Sequence, residues 1–149
     1  MVRITTLLVL LFITTTFAQE LTQKYNKLLD RYEFYDAYGN LKAYAKYNSL
    51  LNQIDYYDSY GNHIKTQKQN SLLDQTETYD RYGNQESYEK NNPLLKQREK
   101  YDQYGNQELT KKWNSLLERY EIYDNYGIMK GYYKYNLLLD KWEYFNSSY

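Results

Sequence analysis

The sequence has no cysteine, one proline and one histidine among its 149 residues. Without cysteine there can be no disulfide, no thiolate metal site and no cysteine nucleophile. Basic and acidic residues balance at 19 each, so there is no excess of one sign. Nucleic-acid binders and polybasic membrane-surface proteins depend on excess positive charge, and the balance argues against both.

The only long apolar run lies at the N-terminus, in residues 1–18, MVRITTLLVLLFITTTFA. Arg3 precedes the run, and Thr16 and Ala18 place small residues before a cleavage point. This pattern predicts a secretory signal peptide cleaved before Gln19; an uncleaved anchor is the alternative. We therefore expect a secreted chain, extracellular or periplasmic, with no membrane insertion after signal cleavage and no nucleic-acid partner.

Valine occurs only inside the predicted signal, whereas all 22 tyrosines lie after it. Low aliphatic content is typical of disordered chains, but those chains usually also carry high net charge. Aromatic side chains each bury about 150–250 Å². Tyrosine is therefore expected to supply the packing that valine and isoleucine normally provide.

The rest of the chain is one 22-residue repeat. The motif Tyr-Asp-x-Tyr-Gly begins at Tyr35, Tyr57, Tyr79, Tyr101 and Tyr123. The motif Asn-x-Leu-Leu and an acid–lysine pair recur with the same spacing. We divide residues 19–149, a single repeat domain, into a half unit 19–25, full units 26–47, 48–69, 70–91, 92–113 and 114–135, and a half unit 136–149.

Each unit is predicted to be a β-hairpin. Asp-x-Tyr-Gly-Asn is a turn signal in which the glycine takes positive φ, and Tyr-, Thr- and Leu-rich segments flank it. The predicted turn glycines are Gly39, Gly61, Gly83, Gly105 and Gly127. In unit 70–91 we expect Leu73, Gln75, Glu77 and Tyr79 to share a face that makes the repeating contacts. Tyrosines would stack along that face, with acids and lysines paired across strands.

The two half units together complete a sixth hairpin, which gives about twelve strands. The fold class is all-β, with tandem hairpins in an antiparallel sheet. We favour an elongated, twisted open sheet; the alternative is that the two ends pair and close a barrel of about twelve strands.

Residues Tyr35-Asp36-Ala37-Tyr38-Gly39-Asn40-Leu41 resemble the YD repeat of Rhs-type and teneurin-type shells. The tyrosine-rich hairpin with a turn glycine also resembles MORN repeats and their bacterial variants. The resemblance spans residues 26–145, although Asn-Ser-Leu-Leu replaces the glycine-rich second turn of MORN units. It implies scaffolding, surface or partner-binding roles, without an active site in the repeats.

No catalytic, cofactor or metal residue is predicted. His63 is interpreted as a turn-flanking residue, and no Ser-His-Asp set can be assembled around it. Recurrent pairs such as Glu33 and Asp36 suit a structural ladder better than a single acid–base centre. Each turn offers too few carboxylates for calcium.

The expected function is a non-enzymatic module that binds an unidentified protein or surface glycan through its tyrosine-rich face. The candidate binding-face or ladder residues are Tyr35, Tyr57, Tyr79, Tyr101 and Tyr123. The alternative is a structural or matrix protein cross-linked through tyrosine.

Overall fold

The computed structural model describes residues 21–147 and contains twelve β-strands. The predicted signal peptide 1–18 and its cleavage site before Gln19 lie outside the described residues. The strands are β1 Thr22–Asn26, β2 Arg31–Tyr35, β3 Leu41–Asn48, β4 Gln53–Asp58, β5 His63–Asn70, β6 Gln75–Asp80, β7 Gln85–Asn92, β8 Gln97–Asp102, β9 Gln107–Asn114, β10 Arg119–Asp124, β11 Met129–Asn136 and β12 Lys141–Asn146. No helix between residues 21 and 147 has the length and hydrophobicity to span a bilayer.

The strands form a closed antiparallel barrel in which every strand pairs with its sequence neighbours and β1 pairs with β12. The all-β hairpin prediction and the closed-barrel alternative are confirmed, and the favoured open sheet was wrong. Adjacent strands are rotated by roughly 20–25°, so a long sheet of twisted hairpins curls until its edges can meet. The pairing Gln23↔Trp142 joins the two half units and leaves no free edge.

The interior is lined by the residues that vary between units. Thr76 and Thr78 of β6 are buried in it, as are the fully buried Tyr56 and Glu89. The repeating residues form the outer face, where the recurrent lysines are exposed. Side chains that differ from unit to unit fill the interior. On the outer surface, the same contacts between neighbouring strands recur in each unit.

The core has two apolar parts. One consists of Phe34, Ala43, Ala45 and Tyr56 on β2 to β4. The other is built on Ile122 and Tyr133, with Leu109, Tyr120, Trp142 and Tyr144 packed against them. Gly131 belongs to this second part, because a Cβ there would clash with the Tyr144 side chain and the Phe145 carbonyl.

Because the strands alternate in direction, the two types of turn lie at opposite ends of the barrel. The five Asp-x-Tyr-Gly turns form one end, which we call the tyrosine rim, and the six Asn-x-Leu-Leu turns form the other, the leucine rim. The first and last described residues, Leu21 and Ser147, both lie at the tyrosine rim.

The paired leucines lie in turns, which corrects their predicted place in the first strand of each hairpin. In unit 70–91 the strand begins at Gln75, so Leu73 does not share the face of Glu77 and Tyr79. The turn residue before the strand, Asp74, has φ of 48°, which ends the turn. Adjacent leucines would point to opposite faces of a strand, whereas in a turn both reach solvent.

Candidate functional site

The five predicted ladder tyrosines lie on the outer face, near the ends of even-numbered strands, and all are half-buried. All except Tyr57 donate the hydroxyl proton to the acid two residues earlier on the same strand. The Tyr101 hydroxyl lies 2.7 Å from Oε2 of Glu99. Tyr57 follows the shorter Asp55, and its ring stacks on Tyr44 with centroids 5.1 Å apart.

The acid beside each of these tyrosines collects further hydrogen bonds. Glu99 accepts one from Nε2 of Gln97 at 2.6 Å and one from Nδ2 of Asn92 at 2.9 Å. The Tyr101 hydrogen bond lowers the pKa of Glu99; burial opposes it, and the two amides reinforce it. The same hydrogen bond, with burial, raises the pKa of Tyr101 to about 12. Both groups are thus held in their neutral-pH protonation states, as suits a structural pair rather than a proton-transfer pair.

The recurrent lysines lie directly opposite the recurrent acids, as predicted. The register pairs are Lys24↔Glu33, Lys46↔Asp55, Lys68↔Glu77, Lys90↔Glu99, Lys112↔Glu121 and Lys134↔Glu143. Within residues 21–147 the ion pairs of these acids nevertheless come from other residues, such as Arg119 to Glu121 at 2.7 Å. Several of the lysines lie over tyrosine rings instead; Nζ of Lys90 is 5.2 Å from the Tyr88 centroid.

The outer face also has a 44-residue period that the sequence analysis missed. Tyr44 stacks on Tyr57 and Tyr88 on Tyr101, with ring centroids 5.1 and 5.2 Å apart. A third stack joins Tyr132 and Phe145 at 5.1 Å. In the units between them, a threonine faces the ladder tyrosine: Thr66↔Tyr79 and Thr110↔Tyr123. The alternation of tyrosine and threonine at positions 44, 66, 88, 110 and 132 is the signal that could have found it.

The tyrosine rim presents five further tyrosines at the tips of its turns. They are Tyr38, Tyr60, Tyr82, Tyr104 and Tyr126, which are 74–90% exposed. The predicted turn glycines lie beside them with φ between 79° and 90°. The turn aspartate is occupied by its own turn, since Oδ1 of Asp80 accepts the N–H groups of Tyr82 and Asn84 at 2.8 Å each. No set of three or more His, Asp or Glu side chains in the described part of the chain is placed to hold a metal ion.

The leucine rim carries thirteen exposed leucines, and sequence reasoning placed the Leu-Leu pairs among them in strands. They are Leu28, Leu29, Leu50, Leu51, Leu72, Leu73, Leu94, Leu95, Leu116, Leu117, Leu137, Leu138 and Leu139. The first leucine of each Leu-Leu pair is 89–93% exposed, so its side chain is almost entirely in contact with solvent. Isolated exposed leucines are ordinary, but a ring of them at one end of a barrel is a candidate interaction surface.

Charged residues occupy the interior between the two apolar parts of the core. Nε of Arg98 lies 2.9 Å from Oε2 of the buried Glu89, although the two atoms lack hydrogen-bond geometry. The Arg98 guanidinium also donates to Oγ1 of Thr76 at 2.9 Å. Burial raises the pKa of Glu89, opposed by the cations around it. Burial lowers the pKa of Lys65 to about 8 and that of Lys111 as well.

His63 lies at the start of β5, directly after the turn, and is half-buried like its equivalents Leu41, Gln85 and Met129. Its ring meets Tyr57 edge-on with centroids 5.6 Å apart, and Nε2 is 3.0 Å from Oγ1 of Thr66. Asp55 lies farther away, with Oδ1 3.9 Å from that nitrogen. These contacts place His63 in the outer ladder, where the Thr66 hydroxyl donates its proton to Oδ1 of Asp55 at 2.9 Å.

A groove of about 520 Å³ marks the place where the barrel closes. Lys24 and Tyr35 line it on one side, and Lys141, Glu143 and Phe145 on the other. It exists because β1 has only five residues and pairs with β12 through a single residue pair. Its size falls in the range of small-molecule sites.

No family model matches the sequence, and no match is found among the curated proteins. The fold is similar to that of a protein from Arabidopsis thaliana known from an X-ray structure, with a TM-score of 0.62. The two sequences are 11% identical, and the similarity covers 86% of this chain and 80% of the plant protein. At that identity the comparison shows a shared fold and nothing about activity.

Proposed function

We propose that the chain is a secreted, non-enzymatic binding module that takes a protein partner or a surface glycan on its tyrosine-rich outer face. The observation that carries the proposal is the set of stacked aromatic pairs spaced 44 residues apart on that face. Flat aromatic surfaces with a polar edge suit the faces of sugar rings, and tyrosine is enriched where proteins bind one another.

Cations beside the rings support the same proposal. The Arg31 guanidinium lies 4.2 Å from the Tyr44 centroid, and the Arg119 guanidinium lies 4.1 Å from the Tyr132 centroid. Arginine stacked on an aromatic ring is frequent at binding hot spots. All the stacked rings except the exposed Phe145 are half-buried, and the strand register holds them, so a ligand would meet rings that are already ordered.

The absence of catalysis is part of the proposal. The five recurrent glutamates are fixed by hydrogen bonds that keep their pKa values low, and none of the five is singled out from the others: Glu33, Glu77, Glu99, Glu121 and Glu143. The resemblance to YD and MORN repeats supports a scaffolding or binding role in the same way.

The test uses the mature chain, residues 19–149, on a panel of immobilised β-linked polysaccharides and on purified surface proteins of the source organism. We expect saturable binding that weakens about tenfold or more for the double variant Tyr88→Ala/Tyr101→Ala. The matched control is Tyr79→Ala, which loses the same hydrogen bond to an acid but belongs to no stack. Equal weakening by the control, or no saturable binding at all, would contradict the proposal.

A second candidate function, a matrix protein cross-linked through tyrosine, is favoured by the tyrosine rim. Its five tip tyrosines reach solvent where phenols of two molecules could meet. In peroxide-driven coupling, each of two phenols loses one hydrogen atom, a carbon–carbon bond forms, and hydrogen peroxide is reduced to two waters.

The matrix reading predicts dityrosine fluorescence and covalent multimers when the mature chain is treated with a peroxidase and peroxide. Replacing the five tip tyrosines by phenylalanine should abolish both, whereas replacing the five ladder tyrosines should not. Equal dityrosine formation in the two variants would show that the tip tyrosines of the tyrosine rim are not the cross-linking residues.

A further inference from the structure

We propose that the leucine rim is a docking surface for a second copy of this chain, so that two barrels pair head to head through their leucine rims. The rim consists of six leucine turns, numbered in chain order: residues 27–30, 49–52, 71–74, 93–96, 115–118 and 137–140. The inference is independent of the ligand proposed for the outer face.

The exposed apolar area of the rim is large enough for a stable dimer. Burying a leucine side chain yields about 1.5–3 kcal/mol at roughly 25 cal/mol per Å², or about 60–120 Å² each. The thirteen rim leucines, 43–93% exposed, therefore present on the order of 1,000 Å² of apolar surface. A standard interface needs about 800 Å² per partner, and the largest patch on a typical monomer is about 300–600 Å².

The rim turns are held in place before any partner arrives. In turn 3, Oδ1 of Asn70 accepts the N–H of Leu73 at 3.1 Å, and Nδ2 of Asn70 donates to Glu77 at 2.8 Å. Equivalent asparagine contacts hold the other five turns. Because the leucines are presented on fixed backbones, little ordering entropy would be lost on association.

Aromatic rings extend the apolar surface inward from the leucines. Tyr25, Tyr47 and Trp113 are 39–53% exposed and lie next to the rim asparagines on the interior face of their strands. Trp113 packs on Tyr120 with ring centroids 4.6 Å apart. The rim thus has an apolar floor on part of its circumference, as the centre of an interface does.

Both ends of the described chain are at the opposite rim, so neither Leu21 nor Ser147 leads into the leucine rim. The net charge of the chain is +0, so two copies do not repel each other at long range. A two-fold axis across the barrel axis would bring one leucine rim onto another without obstructing the outer face.

The charges on the leucine rim of one copy are complementary to those on the leucine rim of a second copy. Turn 1 carries Lys27 and Asp30, turn 4 carries Lys96, and turns 3, 5 and 6 carry Asp74, Glu118 and Asp140. A two-fold rotation that pairs turn 1 with 6, turn 2 with 5 and turn 3 with 4 opposes Lys96 to Asp74 and Lys27 to Asp140. This arrangement faces both lysine turns with acidic turns and opposes no two turns whose only charge is acidic, as a self-complementary isologous contact favours.

The same charges select a second copy over an anionic lipid surface. Four acids and two lysines lie in the six turns, whereas attraction to anionic lipid needs clustered basic residues. Binding to zwitterionic lipid is an outcome that the experiment must distinguish.

The experiment is sedimentation equilibrium of the mature chain at micromolar to sub-millimolar concentrations. We expect a monomer–dimer equilibrium whose dissociation constant rises about a hundredfold or more in Leu72→Ser/Leu94→Ser. The control Tyr82→Ser/Tyr104→Ser makes the same change at the tyrosine rim and should leave the dimer intact. Circular dichroism checks that every variant is folded.

A charge exchange tests the register without touching the apolar surface. Lys96→Glu places like charges opposite each other twice per dimer and should weaken it about tenfold. The double variant Lys96→Glu/Asp74→Lys should restore dimerisation.

Three results would overturn the proposal. They are a wild-type chain that stays monomeric throughout, a dimer that the leucine changes do not affect, and leucine-dependent binding of a monomer to phosphatidylcholine vesicles. If the charge exchange left the dimer unaffected, the proposed pairing of turns across the two-fold axis would be wrong.

Discussion

At the scale of single residues, the repeat is explained by one hydrogen-bonded group on the outer face. In the unit that contains Glu99, that carboxylate joins Tyr101, Gln97 and the turn asparagine Asn92. Three donors on one half-buried carboxylate explain why asparagine, acid and tyrosine recur together with fixed spacing. Their recurrence is a requirement of folding that each unit must meet separately.

Replacing Glu99 by glutamine removes the charged acceptor and should lower the free energy of unfolding by about 1–3 kcal/mol at pH 7. The folded-state pKa of Glu99 lies below its ordinary value of 4.5. Its stabilising effect is therefore present above pH 4.5 and is lost as the pH falls through the folded-state value. Urea unfolding at pH 7 and pH 3 measures both effects.

The matched control is Glu118→Gln, which changes an exposed turn carboxylate. It should alter the unfolding free energy by less than about 0.5 kcal/mol. Equal losses in the two variants, or a loss for Glu99→Gln that does not shrink on acidification, would contradict the role of the acid.

At the scale of elements, the hairpins are built on two different turns. The hairpin that turns at Gly83 has a register shift between Thr78 and Tyr79, on the strand before the turn, whereas the leucine turns join strands in regular register. The bulge lets the five-residue Asp-x-Tyr-Gly-Asn turn fit a twisted hairpin. At the other end, a residue with φ near 50°, such as Asp74, closes each turn.

The hairpins and their first turn could be predicted from the sequence because glycine and asparagine mark the turn unambiguously. The leucine turns could not, since Leu-Leu flanked by polar residues also suits a strand. The segment rich in Tyr, Thr and Leu predicts a strand that includes Leu73, and only the strand boundary at Gln75 corrects that prediction. The constancy of one face predicts that it makes the repeating contacts, but it does not show that the variable face, which contains Tyr56, forms the core.

Replacing Asn70 by alanine should destabilise the chain by about 1–2 kcal/mol, because the Leu73 N–H and the Glu77 carboxylate each lose a partner. Ser71→Ala, in the same turn, is the control and should have almost no effect. Thermal unfolding of both variants at a concentration below dimerisation provides the comparison. If Asn70→Ala left the thermal stability unchanged, strand pairing alone would be enough to fix the turn.

At the scale of the whole molecule, tyrosine explains how so few aliphatic residues support a closed fold. Burial raises the pKa of Tyr56 and of Tyr133, whereas the hydrogen bond to Glu99, with burial, raises that of Tyr101. The buried phenols of Tyr56 and Tyr133 must be uncharged for the barrel to stay folded. Stability should therefore depend on pH far more steeply on the alkaline side than in ordinary domains.

Because these folded-state pKa values exceed the ordinary value of 10.0, the stability they confer is complete below pH 10 and is lost as the pH rises through the folded-state values. We expect cooperative unfolding above pH 10, with the tyrosinate absorbance of the buried tyrosines and the loss of β-sheet circular dichroism sharing one midpoint. Gradual ionisation of all tyrosines without loss of sheet would contradict this account.

Barrel closure depends on one short contact between β1 and β12. For this reason the sequence does not distinguish a closed barrel from an open sheet. The half units at the two ends of the repeat show that a hairpin can be completed, but not that twist brings them together. The Gln23↔Trp142 pair supplies the missing contact between β1 and β12. In an open sheet of twelve strands about 4.8 Å apart, these strands would be roughly 50 Å from each other.

Disulfide formation across the seam tests closure most directly, since the chain has no native cysteine. The antiparallel register through Gln23 and Trp142 places Lys24 opposite Lys141 on the outer face. Mild oxidation of Lys24→Cys/Lys141→Cys should give an intramolecular disulfide as readily as the neighbouring-strand pair Lys46→Cys/Asp55→Cys. Lys24→Cys/Glu99→Cys, on distant strands, should give none. A seam pair that stays reduced, or links only between molecules, while the neighbouring-strand pair closes would contradict the closed barrel.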